Sequence, residues 1–337
     1  PDSPTLKWRL GCPNLANDTG CTSMSITDIG QTWSSPTVLK SLGYCDGVSP
    51  CSVTDVHKPM LIMGGGYDPC EDVDSGTAVC TSSSKGNRIY VLDADNGNVL
   101  RSFSTDRGVV GEVFVVTNGT TGLAQWAYAS DLGGNIYRIS GADANTPFST
   151  TAPSAWTITK IASLGCTGSG TCTPNRKFMF APDVVEDGGT YFLLVGSGDR
   201  EKPLLNFTAA YGVTNYFFMV KDNPSSPTWL TDENATCLAD VICRNSLLPI
   251  TTNADPTATD LASKKGWYLG LHAHEQVVTA PITVFGTTTF STHTPTVPAA
   301  GSCESDLGTA RVYNIRYLNA GTRNGTDNRY EVITGGG

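Results

Sequence analysis

Four acidic residues crowd into the short stretch YDPCEDVDSG, at Asp68, Glu71, Asp72 and Asp74. Several carboxylates on one loop suit Ca²⁺, because this ion takes about six to eight oxygen ligands in a flexible arrangement. A solvated acidic loop is the alternative interpretation. We therefore treat these four residues as a candidate calcium site, and we expect no other cofactor.

Two more aspartates, Asp93 and Asp95, stand between two apolar runs in NRIYVLDADNGNVLRSF, residues 87–103. A calcium loop of the EF-hand type would need a bidentate carboxylate eleven residues after Asp93, and that position is Ser104. Aspartate accepts backbone N–H bonds in tight turns, and Asn-Gly tolerates positive φ. The pattern predicts the turn of a hairpin.

His272 and His274 in GLHAHE have the alternate spacing that would place both on one face of a strand, where a metal could join them with Glu275. A solvated edge or loop is the alternative. The chain has no Gly-x-Ser-x-Gly elbow, His-Glu-x-x-His pair or phosphate-binding glycine loop. We therefore predict no catalytic residues.

Ten of the eleven cysteines form sequential pairs, each bracketing a polar loop. No pair has the two-residue spacing of a zinc site, so local disulfides and an oxidising compartment are predicted. Cys303 is left over, either as a free thiol or with a partner outside the chain. The predicted pairs are Cys12 with Cys21, Cys45 with Cys51, Cys70 with Cys80, Cys166 with Cys172, and Cys237 with Cys243.

The composition bounds both fold and partners. Thirty-six glycines, nineteen prolines and only 16% charged residues favour short strands and turns over helices. A net charge of -9 argues against nucleic acid as a partner. No apolar run is long enough for membrane insertion, and the first residues lack the pattern of a signal peptide, so we expect a piece of a longer exported protein.

A predicted strand that contains a tyrosine recurs along the chain, and we call it the tyrosine strand. An apolar strand that often ends in glycine precedes it. In three cases a further strand, in or near a Pro motif, precedes that apolar strand. This order predicts four-stranded antiparallel modules stacked as a β-propeller of about seven blades, forming one domain over residues 1–337. A jelly roll or two immunoglobulin-like sandwiches would not repeat it. The six tryptophans are predicted to anchor the blades. The four tyrosine strands are 88–97, 135–143, 216–223 and 311–321.

Long polar stretches interrupt the modules and contain most of the cysteine pairs. Insertions of this length usually carry function, so we expect them to form the partner-binding surface. The predicted insertions are residues 41–59, 68–86, 143–176 and 222–265.

Six stretches, in order along the chain, resemble the C-terminal propeller of the PilY family, also called PilC. The resemblance implies a bacterial, non-enzymatic protein of the type IV pilus tip, exported through the periplasm, that supports pilus assembly, adhesion and twitching motility. Its implied partners are minor pilins and a host or abiotic surface. The stretches are DIGQTWSSPTVL (28–39), LIMGGGYD (61–68), GNRIYVLDADNGNVLRSF (86–103), YASDLGGNIYRI (128–139), FLLVGSGDREKP (192–203) and VYNIRYLNAGT (312–322).

One implied feature is missing from this chain. The family has an Asp-rich calcium hairpin just before the strand that corresponds to YASDL, whereas this chain has TNGTTG, residues 117–122. Neutral oxygens alone do not offset the charge of Ca²⁺. We therefore predict a metal-free hairpin held by an Asn-Gly turn.

Two other functions remain open at this stage. Quinone-dependent dehydrogenases also use propellers, and fold alone does not exclude such an enzyme. A secreted carbohydrate-binding propeller is the second alternative.

Overall fold

The computed structural model describes residues 5–11, 14, 19–20, 28–46, 50–52, 54–72, 85–148, 150–172, 174–250, 255–296, 308–322 and 328–333. Over these residues the protein is all-β, as predicted, with three short α-helices. The chain divides into two compact units: unit 1 is Pro1–Glu71, Cys80–Asp131 and Tyr137–Thr159, and unit 2 is Asp72–Val79, Leu132–Ile136 and Lys160–Gly337. The helices are α1 (Thr208–Tyr211), α2 (Asn234–Cys237) and α3 (Ala258–Ala262).

The first sheet belongs to unit 1 and has four antiparallel strands in sequence order. Its two central strands are almost entirely buried, which explains why MLIMG and RIYVLD are continuous apolar runs. A β-bulge lies between Val91 and Leu92, where the third strand pairs with the fourth. The strands are β1 (Thr37–Leu39), β2 (Met60–Gly64), β3 (Arg88–Asp93) and β4 (Val99–Ser104).

The second sheet has five strands in the order β12-β8-β7-β6-β5. Strands β5 and β6 pair antiparallel, whereas the two-residue strand β12 pairs parallel with β8. The strands are β5 (Phe114–Thr117), β6 (Ala124–Ser130), β7 (Asn135–Ser140), β8 (Thr157–Ser163) and β12 (Ile242–Cys243).

The third sheet lies in unit 2 and repeats this plan. Four strands pair antiparallel, and a short strand from the same connection as β12 adds in parallel at one edge. The sheet order is β13-β14-β11-β10-β9. The strands are β9 (Asp183–Asp187), β10 (Thr190–Gly196), β11 (Tyr216–Asp222), β13 (Leu248–Ile250) and β14 (Gly266–Gly270).

The fourth sheet also lies in unit 2. Strand β17 pairs antiparallel with three neighbours, because both β15 and β16 lie along one of its edges and β18 along the other. Strand β19 completes the sheet beside β18. The strands are β15 (Gln276–Val277), β16 (Ile282–Val284), β17 (Thr287–Thr294), β18 (Thr309–Arg316) and β19 (Tyr330–Ile333).

The four predicted tyrosine strands are the third main strand of the four sheets, namely β3, β7, β11 and β18. The predicted Pro-strands correspond to β1, β9 and β16. The repeated order read from the sequence is therefore present in the described part of the chain. The propeller, its blade number and the single domain stay predictions.

Two of the predicted insertions are not loops throughout, so the prediction is wrong for them. Residues 143–176 contain β8 and the fully buried Trp156, and residues 222–265 contain β12, β13 and α3. The parallel strands have only two and three residues, too few to show a periodic pattern. In the described part of 143–176, regular structure is limited to the 3-10 turn Pro153–Ala155 and to β8, and the chain before and after them is irregular.

Each unit has its own apolar core. The core of unit 1 includes Ile62, Val91 and Trp156, and that of unit 2 includes Phe217, Trp267 and Phe290. The tryptophan prediction requires burial, and Trp126, Trp156 and Trp267 are buried. It is wrong for Trp33, which is 61% exposed.

None of the helices in the described residues has the length and apolar character needed to cross a membrane.

Trp156 provides a test of the unit 1 core. Its ring stacks on Phe148 with centroids 4.0 Å apart, and its indole N–H donates to the Thr151 carbonyl at 2.8 Å. We expect Trp156→Ala to lower the free energy of unfolding by about 3–5 kcal/mol, since a large cavity opens in the core. Urea unfolding followed by circular dichroism measures this change.

The matched control is Trp33→Ala, where the side chain is exposed and its ring lies beside Tyr67. It should cost less than about 1 kcal/mol. Equal losses from the two substitutions would contradict this description of the core.

Candidate functional site

The acidic stretch that predicts calcium is partly committed to other contacts. Asp68 accepts the backbone N–H of Cys70 at 3.0 Å and that of Lys85 at 2.6 Å, one on each carboxylate oxygen. Glu71 is buried and pairs with Arg107. Asp72 closes the same 3-10 turn.

Asp74, the fourth predicted ligand, lies outside the described residues. Among the residues that are described, no group of three or more His, Cys, Asp or Glu side chains is placed to hold a metal. Asp68 and Glu71 would have to exchange protein partners for an ion. The calcium site stays a prediction.

The turn prediction for Asp93 is confirmed. One carboxylate oxygen of Asp93 accepts the N–H groups of Asp95 and Asn96 at 2.7 and 3.2 Å, and Gly97 has φ +74°. Burial alone would raise the pKa of Asp93, but hydrogen bonds from Tyr44 and from these two amides lower it. The Asp93 side chain therefore shapes the turn of this hairpin.

The hairpin at residues 117–122 is built differently from the prediction. An Asn-Gly turn of type I′ needs positive φ at both central residues, and neither Asn118 nor Gly119 has it. Instead the Asn118 side-chain oxygen accepts the N–H groups of Thr120 and Thr121, both at 3.0 Å, and Gly122 takes φ +67°. The Asn118 side chain therefore holds this hairpin, and its freedom from metal stays a prediction.

The two histidines do not share a strand face, because they lie in the connection between β14 and β15. The His272 Nδ1 lies 2.6 Å from a carboxylate oxygen of Glu275, which is completely buried. The His274 ring stacks on Tyr211 with centroids 3.4 Å apart. Each histidine has its own protein partner, which agrees with the loop interpretation.

The disulfides mark the loops that remain as candidates for partner binding. Cys70 is disulfide-bonded, but its predicted partner Cys80 lies outside the described residues. Cys12, Cys21 and Cys303 lie outside them as well. The structure contains three of the predicted pairings, Cys45–Cys51, Cys166–Cys172 and Cys237–Cys243.

Two of these stapled loops touch each other in unit 2. The Ser169 hydroxyl donates to the Cys237 carbonyl at 2.6 Å, and Arg244 donates to the Thr167 hydroxyl at 3.2 Å. We call residues 165–172 and 237–244, with Arg176, Tyr216 and Tyr268, the stapled-loop surface. Two segments that are far apart in sequence thus form one continuous surface.

Arg176 organises the base of this surface. Its guanidinium donates to the carbonyls of Leu164, Gly165, Cys166 and Thr214, at 2.8 to 3.4 Å. Burial lowers the pKa of Arg176, and the contacts with carbonyl oxygens compensate the loss of water. One buried cation therefore fixes the chain that enters the Cys166–Cys172 loop.

Aromatic rings and arginines alternate above this base. Arg176 and Arg244 both contact the Tyr216 ring, with their guanidinium carbons 4.6 and 5.4 Å from its centroid. Tyr268 meets the same Tyr216 ring edge-on at 5.1 Å, and Arg244 is 5.7 Å from the Tyr268 centroid. Tyrosine and arginine are enriched where proteins bind partners tightly.

A cavity of about 570 Å³ opens beside the Cys166–Cys172 loop. It is lined by that loop, by Arg176 and by residues 212–214. The stapled-loop surface therefore has a concave part as well as a rim.

Sequence reasoning missed a buried carboxylate pair in the motif GSGDREKP. Asp199 and Glu201 share a hydrogen bond, and Lys177 lies 3.0 Å from Asp199 and 3.8 Å from Glu201. Burial and the neighbouring Asp199 raise the pKa of Glu201 to about 8, whereas the pKa of Asp199 is lowered despite its burial, by Glu201 and the lysines. The close spacing of acidic and basic residues was the only available signal.

No family model and no curated protein matches the chain. Among solved structures, the chain is similar to the crystal structure of the Pseudomonas aeruginosa PilY1 C-terminal domain, with a TM-score of 0.54 and 17% sequence identity. The match covers 87% of this chain but 60% of that one, so this chain spans less than two thirds of it. The fold is therefore like that of a PilY1 C-terminal domain, as the sequence motifs predict.

A structure of Cellvibrio cellulosa alpha-L-arabinanase with arabinohexaose also aligns, covering 78% of this chain and 76% of that one at 12% identity. Its TM-score of 0.33 is too low to carry an argument.

The Asp199–Glu201 pair predicts a pH dependence. The pKa of Glu201 is about 8 in the folded state, against an ordinary value of 4.5, so between these values the folded state holds a proton that the unfolded state lacks. The contribution of Glu201 to stability should be full below pH 4.5 and lost as pH rises through about 8. Thermal unfolding of the parent chain and of Glu201→Gln across this range measures it.

Glu201→Gln should remove this part of the slope, because the amide resembles the protonated acid. The exposed Glu112→Gln is the control and should follow the parent curve. Parallel curves for the parent and Glu201→Gln would show that Glu201 is ionised throughout.

Proposed function

We propose that this chain is the β-propeller domain of a non-enzymatic protein of the type IV pilus tip, which supports pilus assembly, surface adhesion and twitching motility. Support comes from the similarity of its fold to the PilY1 C-terminal domain and from six motif stretches in family order. The disulfides fit export through an oxidising periplasm to the cell surface.

The observation that carries the proposal is the joining of two stapled loops into one surface. A disulfide limits the conformations of each loop, and the Ser169–Cys237 and Arg244–Thr167 bonds connect the two. A surface that is ordered before binding loses less conformational entropy when a partner arrives. Such pre-organisation suits a protein that must hold a partner under mechanical load.

A buried cluster contacts the residues on either side of the Cys237–Cys243 loop. Glu233 accepts the Ser246 hydroxyl, and the Lys265 ammonium lies 3.6 Å from the other oxygen of Glu233. The same ammonium donates to the Trp229 carbonyl at 2.9 Å and lies 3.5 Å from the centre of the Trp229 ring. The loop is thus braced on both sides of its disulfide.

We assign minor pilins to the stapled-loop surface as its partners. Arg244 and the two tyrosines offer cationic and aromatic contacts, which complement acidic side chains and carbonyl oxygens of another protein. The host or abiotic surface is the second partner in this proposal, reached once the domain sits at the tip.

Arg244→Glu tests the partner assignment. Reversing this charge should weaken binding to purified minor pilins by at least about tenfold, because a charge-assisted hydrogen bond contributes ~1.5–3 kcal/mol. Surface plasmon resonance measures the affinity, and electron microscopy of cells carrying the variant counts surface pili.

The matched control is Arg9→Glu, an exposed site in unit 1 with the same change in net charge. It should leave both the affinity and the number of pili unchanged. If Arg244→Glu also leaves both unchanged, the stapled-loop surface is not the pilin site.

The location at the tip requires a separate measurement. Immunogold labelling of native filaments should place the label at filament ends. Label along the shaft, or only in the medium, would contradict a tip protein.

The dehydrogenase alternative predicts turnover. Purified protein supplied with pyrroloquinoline quinone, calcium and an alcohol should give no dye reduction if the domain only binds partners. Alcohol-dependent reduction would replace the proposal with an enzyme.

A further inference from the structure

A cavity of about 740 Å³ lies in unit 2, within the size range of pockets that hold drug-sized ligands. It is formed by the ends of β10, β11, β17 and β18 together with α3. Most of the side chains around it are apolar or aromatic. The principal ones are Phe192, Leu261, Phe285, Tyr317 and Leu318.

Lys221 is the unusual residue in this wall. Its ammonium is half-buried and donates to two backbone carbonyls, those of Leu261 at 2.8 Å and Lys264 at 3.1 Å. No described carboxylate forms an ion pair with it, and burial together with Lys265 lowers its pKa. Because an ammonium has three N–H donors, one remains for a ligand.

The charge of the lining is opposite to that of the chain. Arg316 is its second charged residue, and the described residues that line the cavity include no aspartate or glutamate. The whole chain carries a net charge of -9. Positive charge in an apolar, partly desolvated cavity of an acidic protein favours an anion over a neutral or cationic ligand.

The wall of the cavity is formed in advance. The buried Trp267 donates its indole N–H to the carbonyls of Tyr317 and Leu318 at 3.1 and 3.2 Å. Phe192 meets Tyr317 edge-on at 5.3 Å. These contacts hold the apolar side of the cavity without a ligand.

The rim carries backbone strain. Phe285 has φ +49° and its side chain is fully exposed, at the turn between β16 and β17, and Gly286 follows with φ +81°. A bulky residue is rare in the left-handed region, and such strain is concentrated at ligand clamps and other functional sites. An exposed aromatic ring at the mouth of an apolar cavity can cover a bound ligand.

We infer that this cavity binds a small amphipathic anion, with a carboxylate or sulfonate head placed at Lys221 and an apolar tail or ring against Tyr317 and Leu318. The inference does not depend on the pilus role, since it concerns a different surface of unit 2.

The first test compares two fluorescent probes of similar shape. 8-Anilinonaphthalene-1-sulfonate is anionic and N-phenyl-1-naphthylamine is neutral. The anionic probe should bind with one site per chain and at least about tenfold more tightly, since a charged hydrogen bond contributes ~1.5–3 kcal/mol. Equal affinities would overturn the inference.

Displacement tests the head group. Octanoate should displace the bound anionic probe, and octanol, which has the same tail, should need at least about tenfold higher concentration. Equal potency would mean a purely apolar cavity and would also overturn the inference.

Substitutions test the place of binding. Leu318→Glu and Leu318→Lys change one exposed position to opposite charges, and only Leu318→Glu should weaken octanoate binding, by about tenfold or more. Lys221→Met should weaken it similarly. If Lys221→Met does not fold, the Leu318 pair decides alone.

Val56→Glu, an exposed site in unit 1, is the control and should bind octanoate like the parent chain. Identical affinities for Leu318→Glu and Leu318→Lys would place the anion elsewhere.

Discussion

The sheets depend on one constraint, which is the close approach of two backbone segments at the end of the second strand of a sheet. In the first sheet this strand is β2. A Cβ on Gly64 would lie 2.3 Å from the Val109 carbonyl oxygen, a distance that no side chain tolerates. That carbonyl accepts the N–H of Gly66 at 2.9 Å. The connection that leaves a sheet therefore returns to the glycine end of its second strand. The approach recurs in unit 2, at Gly134 with Gly165 and at Gly198 with Val277.

This constraint also decides where recognition groups can stand. A strand end packed backbone against backbone has no room for side chains, so binding residues must come from the segments that follow. Gly165 shows the link directly, because it packs against Gly133 and is followed at once by the Cys166–Cys172 loop. Arg176 adds a further contact at the same place, because its guanidinium donates to the Gly165 carbonyl at 3.1 Å. The glycine contact and the stapled-loop surface are parts of one structure.

The repeated strands were predictable because glycine, tyrosine and β-branched residues occur at the same place in each module, and local turns such as that at Asp93 follow from short-range hydrogen bonds. The parallel strands β12 and β13 were not, since two or three residues carry no period. The contact of Ser169 with Cys237 joins residues that are distant in sequence, and nothing local in either loop indicates it. The cavity at Lys221 was missed for the same reason, as its walls come from five elements.

Two kinds of partner compensate the buried and half-buried cations of unit 2, namely carboxylates and backbone carbonyls. Lys177 lies 3.0 Å from the carboxylate of Asp199, so its charge is balanced within the protein. Arg176 and Lys221 instead donate hydrogen bonds to backbone carbonyls, four for Arg176 and two for Lys221. Carbonyl dipoles replace the lost water but leave the positive charge uncancelled. In a chain with a net charge of -9, a positive charge that is held only by carbonyl dipoles still attracts an anionic group.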